Sequence, residues 1–278
     1  MSIKDITVII TTFKSDEKIK DCLRSIDKSV NVTIVENSDD LQFKKNIEKE
    51  FSNVKCMLTG ANLGYGRANN IGLKTVKTKY ALILNPDATL NSSTLDNFFI
   101  TTLNISNFAI MAPYNQEEKN KYKENVTAPL EVDNVKGFAM FLNMSEFEDI
   151  GFFDENFFIY FEEIDLCRRL VNSNKKIFLI PSIKINHDGG QSHISSVNKE
   201  MELSRNWHWM WSTFNYHKKY KGFLFSLLLV MPKLLSALIK FLLYSVLFKK
   251  EKKEIYYHRF SGLVNSIFGK KSWYRPKV

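Results

Sequence analysis

Tyr80-Ala-Leu-Ile-Leu-Asn85-Pro86-Asp87 is the stretch whose reading decides the fold. Its first five residues suit a strand buried on both faces. They run without a break into Asn-Pro-Asp. Pro86 has no N–H to give to a sheet ladder, so the strand ends there. Asp87 then stands at the C-terminal edge of that strand. In a parallel sheet, this edge is where open α/β folds bind ligands.

The chain on either side predicts such a sheet. Ile6-Thr-Val-Ile-Ile-Thr-Thr12 is β-branched throughout and reads as a first buried strand. Ser15 is placed to cap a helix over residues 16–29. A second strand over 32–36, a helix over 41–51 and a third strand over 54–58 follow. Residues 60–72 hold four glycines and three asparagines and lead into a helix. Ser92 or Ser93 opens the next helix, and residues 113–134 read as a polar surface excursion. Residues 135–142 return as a strand. An aromatic loop over 151–160 feeds a segment of helical spacing over 161–170, and strands over 177–180 and from 183 close the pattern. Short strands alternating with amphipathic helices predict an α/β fold, a doubly wound and mainly parallel central sheet.

With 278 residues, 44% apolar and 25% charged, the chain suits one large globular domain plus an appendage. Cys22, Cys56 and Cys167 fit neither a disulfide framework nor a zinc site and read as reduced thiols of a cytosolic protein. The first apolar run is too short for a secretory signal core. The net charge of +9 is unevenly spread, because residues 214–278 carry 14 Lys/Arg against two Glu. The division drawn from this is a body over residues 1–215 and a basic, apolar helical tail over 216–278.

Such a tail seeks an anionic partner. Its apolar run is interrupted by Pro232, Lys233 and Lys240, and its longest uncharged stretch is 11 residues, Gly222 to Pro232. The expectation is of helices lying in a membrane interface, with the lysines toward anionic headgroups. A membrane span, or a helical cap serving an oligomer, are the other readings. Basic residues interleaved with leucines do not form a nucleic-acid groove.

Three groups in the body carry chemistry. Asp87 alone reads equally well as a turn residue. Glu162, Glu163 and Asp165 are also what the first turn of a helix favours, but they follow an aromatic stretch, where burial raises a carboxyl's pKa and suits it to act as a base. His187, just beyond a short strand and followed by Asp188, is more often a packed residue than a ligand. With Asp87 it would give an oxygen-rich site suited to Mg²⁺ or Mn²⁺. The segment over 60–72 resembles a phosphate loop in composition only, since no Gly-Lys-Ser/Thr follows.

Five stretches together resemble family 2 glycosyltransferases of GT-A fold, in the bacterial rhamnosyltransferase-like branch. They are Thr11-Thr12-Phe13, Val35-Glu36-Asn37-Ser38, the run from Asn62 to Gly72, Leu84-Asn85-Pro86-Asp87, and the run from Gly151 to Arg169. The resemblance spans roughly residues 5 to 220. It implies that Thr11, Phe13 and Glu36 cradle a nucleoside, and that Asn62, Gly64 and Arg67 lie beside base, ribose and diphosphate. It further implies that Asn85 and Asp87 face the donor, that Asp87 and His187 bind the metal, and that Glu163 is the catalytic base. Three positions depart from the family pattern: Glu36 stands for the more frequent Asp, Asn85 for the first Asp of Asp-x-Asp, and Glu-Glu for Glu-Asp.

The implied activity is inverting transfer of a sugar, rhamnose among the candidates, from a nucleoside-diphosphate sugar to a glycan or lipid-linked oligosaccharide in bacterial surface polysaccharide synthesis. The protein would sit on the inner face of the cytoplasmic membrane. Rival readings are a sugar-phosphate nucleotidyltransferase and a non-catalytic nucleotide-sugar-binding or membrane scaffold protein.

Overall fold

The computed structural model describes residues 2–16, 18–115, 126–187, 189 and 195–276. The chain divides into two compact units. One comprises Met1–Phe153 and Glu163–Ile194, the other Asp154–Glu162 and Ser195–Val278. The division expected at 215/216 falls inside a continuous helix, Asn198–Lys221.

The strands of the first unit are β1 (Ile6–Thr12), β2 (Asn31–Glu36), β3 (Val54–Leu58), β4 (Tyr80–Leu84), β5 (Ala88–Leu90), β6 (Ile110–Pro113), β7 (Leu130–Glu131), β8 (Ala139–Asn143), β9 (Ile177–Ile180) and β10 (Ile185–His187). Eight of them form one sheet in the order β3-β2-β1-β4-β8-β6-β9-β7. β1 pairs in parallel with β2 on one side and β4 on the other, and only β7 and β8 run against the rest. The sheet is buried on both faces, which is why its central strands carry unbroken apolar runs. Val8 and Ile10 pack with Leu82 and Leu84 on one side, while Ile9 packs with Ala81 and Ile83 on the other. This is the period-two alternation of a strand sandwiched between layers.

Around the sheet lie α1 (Ile19–Arg24), α2 (Leu41–Glu50), α3 (Tyr65–Leu73), α4 (Thr94–Asn104) and α5 (Glu162–Asn172). α1 is shorter than expected. Ser15 meets its start with a backbone carbonyl, which accepts from the N–H groups of Lys18 and Ile19, rather than with its hydroxyl. β8 begins at Ala139, so Gly137 and Phe138 lie in a turn rather than in the strand. The polar excursion contains β7, and its residues 116–125 lie outside the described residues.

The second unit holds α6 (Asn198–Lys221), α7 (Phe223–Val246) and α8 (Lys250–Ile267) around Met210, Phe214, Val230, Ala237 and Leu263. α7 is one helix through Pro232, long and apolar enough by itself to cross a membrane, with a mean hydropathy of 1.9 over its most apolar window. Lys233 and Lys240 do share a face. Both are exposed, at the edge of the buried stripe of Val230 and Ala237 and away from the exposed stripe of Leu224, Leu228, Leu235, Ile239, Leu242 and Val246.

His208, wholly buried, donates from Nε2 to the Tyr274 carbonyl at 2.9 Å and accepts at Nδ1 from Ser272 Oγ at 3.0 Å. Burial holds its pKa down to about 3, so it is a neutral anchor for the C-terminal segment.

α6 and α8 touch backbone to backbone. A Cβ placed on Gly262 would lie 2.2 Å from the Trp207 carbonyl oxygen. Helix propensity alone would make Gly262→Ala stabilising by about 1 kcal/mol. The clash with rigid backbone outweighs that, and a net loss of about 2 kcal/mol or more is expected. All four tryptophans, Trp207, Trp209, Trp211 and Trp273, lie in this unit, so their fluorescence during urea unfolding reads it directly. An unchanged or raised midpoint would contradict the close crossing.

Candidate active site

β4 ends at Leu84, and the chain turns at once, with the Ala88 N–H donating to the Asn85 carbonyl at 3.1 Å. The turn leads directly into β5, which pairs antiparallel with β10. The register sets Ala88 opposite His187, so the residue before Ala88 arrives beside the imidazole. His187 Nε2 lies 3.4 Å from Asp87 Oδ1, and Asp87 is buried. The His187 ring is fixed by stacking on Phe138, with centroids 4.4 Å apart and planes 8° from parallel. Phe138 also takes the Asn85 N–H on its carbonyl at 2.8 Å. Asn85 Oδ1 and Thr11 Oγ1 are buried without a hydrogen bond. Asp188 and the loop beyond Gly189 lie outside the described residues.

One residue earlier, Gly137 joins this corner to Glu163. Its carbonyl accepts from the Tyr65 hydroxyl at 2.6 Å, and a Cβ placed on it would sit 3.6 Å from Glu163 Cβ. Glu163 lies in the first turn of α5. Burial pushes its carboxyl above the ordinary range, against the pull of its own and Ile164's backbone N–H and the Lys136 charge.

The loop before α5 is held from two directions. Arg169 pairs with buried Asp165 at 2.9 Å, as their one-turn spacing predicts, and donates to the carbonyls of Ile150 at 2.9 Å and Phe152. Asn70 donates to the Phe153 carbonyl at 2.9 Å and accepts its N–H at 3.0 Å. Just ahead of α5, Tyr160 and Phe161 hold left-handed φ values of 70° and 71°, a conformation costly for aromatic side chains. Asp154 caps its turn by accepting the Asn156 N–H at 3.0 Å and pairs with Lys219 at 2.7 Å.

The ends of β1 and β2 carry the other expected residues. Thr12 is the register partner of Glu36 and donates to it at 2.5 Å, while Ser38 Oγ donates to its other oxygen at 2.7 Å. Burial raises the Glu36 carboxyl above its usual pKa, with these two hydroxyls opposing. Thr11 precedes Thr12 at the end of β1. Phe13 follows, half-buried.

Asn37 clamps the glycine-rich loop. It donates to the Gly64 carbonyl at 3.1 Å and accepts the Leu63 N–H at 2.8 Å, while Asn62 Oδ1 accepts the Gly64 N–H at 3.1 Å. Gly64 opens α3 with φ 89°, which only glycine takes without strain. Arg67 is exposed on the first turn of α3. Sequence reasoning missed Asn37, Tyr65, Gly137 and Phe138 as site residues. Asn37 stood inside a quoted motif, whereas Gly137-Phe138 was absorbed into an expected strand.

The donor set of Asp87 and His187, one buried carboxylate and one partly exposed imidazole beside an unsatisfied Asn85 oxygen, fits a hard divalent cation that takes its other ligands from substrate and water. Among the described residues, no group of three or more His, Cys, Asp or Glu converges to hold a metal. All three thiols are buried and pushed up by that burial, those of Cys56 and Cys167 to about 12.

The model of the family described as glycosyl transferase family 2 matches residues 7–167, more than half the chain. This chain belongs to that family. The low-salt glycan biosynthesis hexosyltransferase Agl10 of Haloferax volcanii is 28% identical over 200 residues, covering 62% of this chain and 64% of that one. The match therefore spans a little under two thirds of the archaeal relative's length. The rhamnosyltransferase WbbL of Escherichia coli K12 is 24% identical over 248 residues, covering 75% of this chain and 91% of its own. The fold matches that of the mannosyltransferase PcManGT of Pyrobaculum calidifontis, solved with GDP-Man and Mn²⁺, with a TM-score of 0.60 at 13% identity, covering 96% of this chain and 88% of that one. This family member accordingly has the GT-A fold that the resemblance implied, built on the mainly parallel sheet that the strand pattern predicts.

Asn37→Ala removes a donor and an acceptor from the glycine-rich loop. Amide exchange at Leu63 and Gly64 should accelerate about tenfold or more, as expected for one buried hydrogen bond lost. Unchanged protection there would show that the loop is held by something else.

Proposed function

We propose that this family 2 enzyme is an inverting, metal-dependent glycosyltransferase using a nucleoside-diphosphate sugar, with Glu163 as its base. One observation carries the reading: a single turn, Gly137-Phe138, lies beside Glu163 at one residue and stacks on His187 at the next. Base and cation corner are thereby tied to the same piece of backbone. The nucleotide sugar and Mn²⁺ bound by the mannosyltransferase neighbour support the donor and cation classes.

In this reading Thr11, Phe13 and Glu36 hold the nucleoside, and Asn62, Gly64 and Arg67 lie along ribose and diphosphate, with Asn85 and Asp87 facing the donor. An Mg²⁺ or Mn²⁺ ion held by Asp87 and His187 would neutralise charge on the leaving diphosphate. Glu163 takes the proton from an acceptor hydroxyl. The acceptor oxygen forms its bond to the anomeric carbon from the face opposite the diphosphate as the bond to the diphosphate oxygen breaks. Nucleoside diphosphate leaves, and the configuration inverts in one displacement.

The acceptor is a glycan or lipid-linked oligosaccharide of a bacterial surface polysaccharide, reached at the cytoplasmic face of the membrane. Supporting this, α7 exposes Leu224, Leu228 and Val246 to about three quarters of their area, a stripe without charge. Lysines at 249, 250, 252, 253, 270 and 271 flank it, a pattern suited to lying on an anionic lipid surface.

Transfer assayed with Mn²⁺ and a panel of nucleotide sugars tests the core of this reading. Glu163→Gln should lower kcat by about a thousandfold, within the usual worth of a general base, while donor binding persists. Near-normal turnover would remove Glu163 from the role. The pH profile adds a sign. A base with a raised pKa is active above that pKa and is lost as pH falls through it, so the acid limb should lie above the ordinary carboxylate range. Lys136 holds that pKa down, so Lys136→Met should move the limb to higher pH. A limb that stays still or moves down would contradict the assignment.

A further inference from the structure

α6, α7 and α8 enclose a cavity of about 370 Å³ within the second unit. Its walls include Lys233 and Lys240 of α7 and Arg259 of α8, together with Trp209, Pro232 and Tyr256. Among the described residues, no carboxylate pairs with any of these three cations; Glu254 of α8 pairs with Lys199 instead, at 2.6 Å. Two of the cations are held on one ring, with Lys240 Nζ 5.1 Å and Arg259 Cζ 5.2 Å from the centroid of Tyr256. Arg259 Nε donates to Asn206 Oδ1 at 2.6 Å, which orients the guanidinium.

Like charges gathered without counter-ions repel, and a fold keeps them together at a cost. The two lysines are exposed at the edge of the buried stripe of Ser226, Val230 and Ala237, and both line the pocket beside Arg259. We infer that this cavity is an anion site that takes a phosphate ester, with Lys233, Lys240 and Arg259 supplying the charge-assisted hydrogen bonds and Trp209 the apolar wall beside it.

A guanidinium fixed by a side-chain amide and a ring suits the planar, two-point recognition that phosphate oxygens favour. Such two-point recognition favours a discrete phosphorylated headgroup or a free phosphate compound over a generally anionic membrane surface. The inference concerns the second unit alone and does not depend on the transfer chemistry assigned to the first.

Isothermal titration of the full chain in EDTA tests it, the chelator keeping the Asp87–His187 corner free of metal. The probes are inorganic pyrophosphate and monomeric dihexanoyl phosphatidic acid, with dihexanoyl phosphatidylcholine as the zwitterionic control. At least one phosphate monoester or pyrophosphate should bind, and Lys233→Ser/Lys240→Ser should weaken it by about tenfold or more, the worth of one charged hydrogen bond. The charge-matched Lys249→Ser/Lys270→Ser should leave it within about twofold. Comparable affinity for both probes identifies the phosphate itself as sufficient, while binding of phosphatidic acid alone identifies a lipid-borne group. Equal losses in the two double variants would show general electrostatic attraction and overturn the site, as would the absence of binding by either probe. Glycosyl transfer to a soluble acceptor that persists in Lys233→Ser/Lys240→Ser would separate failure here from failure of the transferase reading.

Discussion

The pairing of β5 with β10 is the contact on which the site depends. Three residues on each strand, joined in antiparallel register, bring the end of β10 to the residue that follows Asp87. Without that ladder, Asp87 would be one carboxylate at the edge of a sheet, too little to keep a divalent cation from water. The main sheet contributes the other half of the constraint, because Pro86 stops β4 and throws the chain into β5. Phe138 then locks the arrangement, stacking on the His187 ring while its carbonyl takes the Asn85 N–H.

The same economy governs the surrounding loops. Side chains that mimic backbone secure them: Asn37 for the glycine-rich loop, Asn70 and Arg169 for the loop ahead of α5. These amides and the guanidinium satisfy buried main-chain groups that no strand or helix reaches, so the loops stay ordered near a ligand without becoming regular structure. Glu36 is treated likewise, with a hydroxyl on each oxygen to offset its burial.

Much of this was legible in the sequence, for physical reasons. β1, β2, β4 and β9 announced themselves because strands buried on both faces need largely apolar, β-branched runs. Asp87, Glu163 and His187 stood out because each followed an apolar segment, where a polar group needs a purpose. What escaped is equally instructive. β5 and β7 have three and two residues, too few for a period to register. The Gly137-Phe138 turn was hidden because its residues suit a strand as well as a bend. Lys233 and Lys240 were recognised as sharing a helix face, but periodicity cannot say which face meets the bundle. Only the packing of α6 and α8 decides that, and it leaves the lysines exposed at the edge of the bundle, lining a pocket.

The central claim is that Asp87 and His187 share one cation, and pulsed electron paramagnetic resonance of bound Mn²⁺ tests it most directly. In the presence of a nucleoside diphosphate, the Mn²⁺ spectrum should show coupling to one imidazole nitrogen. That coupling should vanish in His187→Ala and persist in His258→Ala, a histidine of the second unit. Absence of nitrogen coupling in the unmodified protein, or its survival in His187→Ala, would contradict the account.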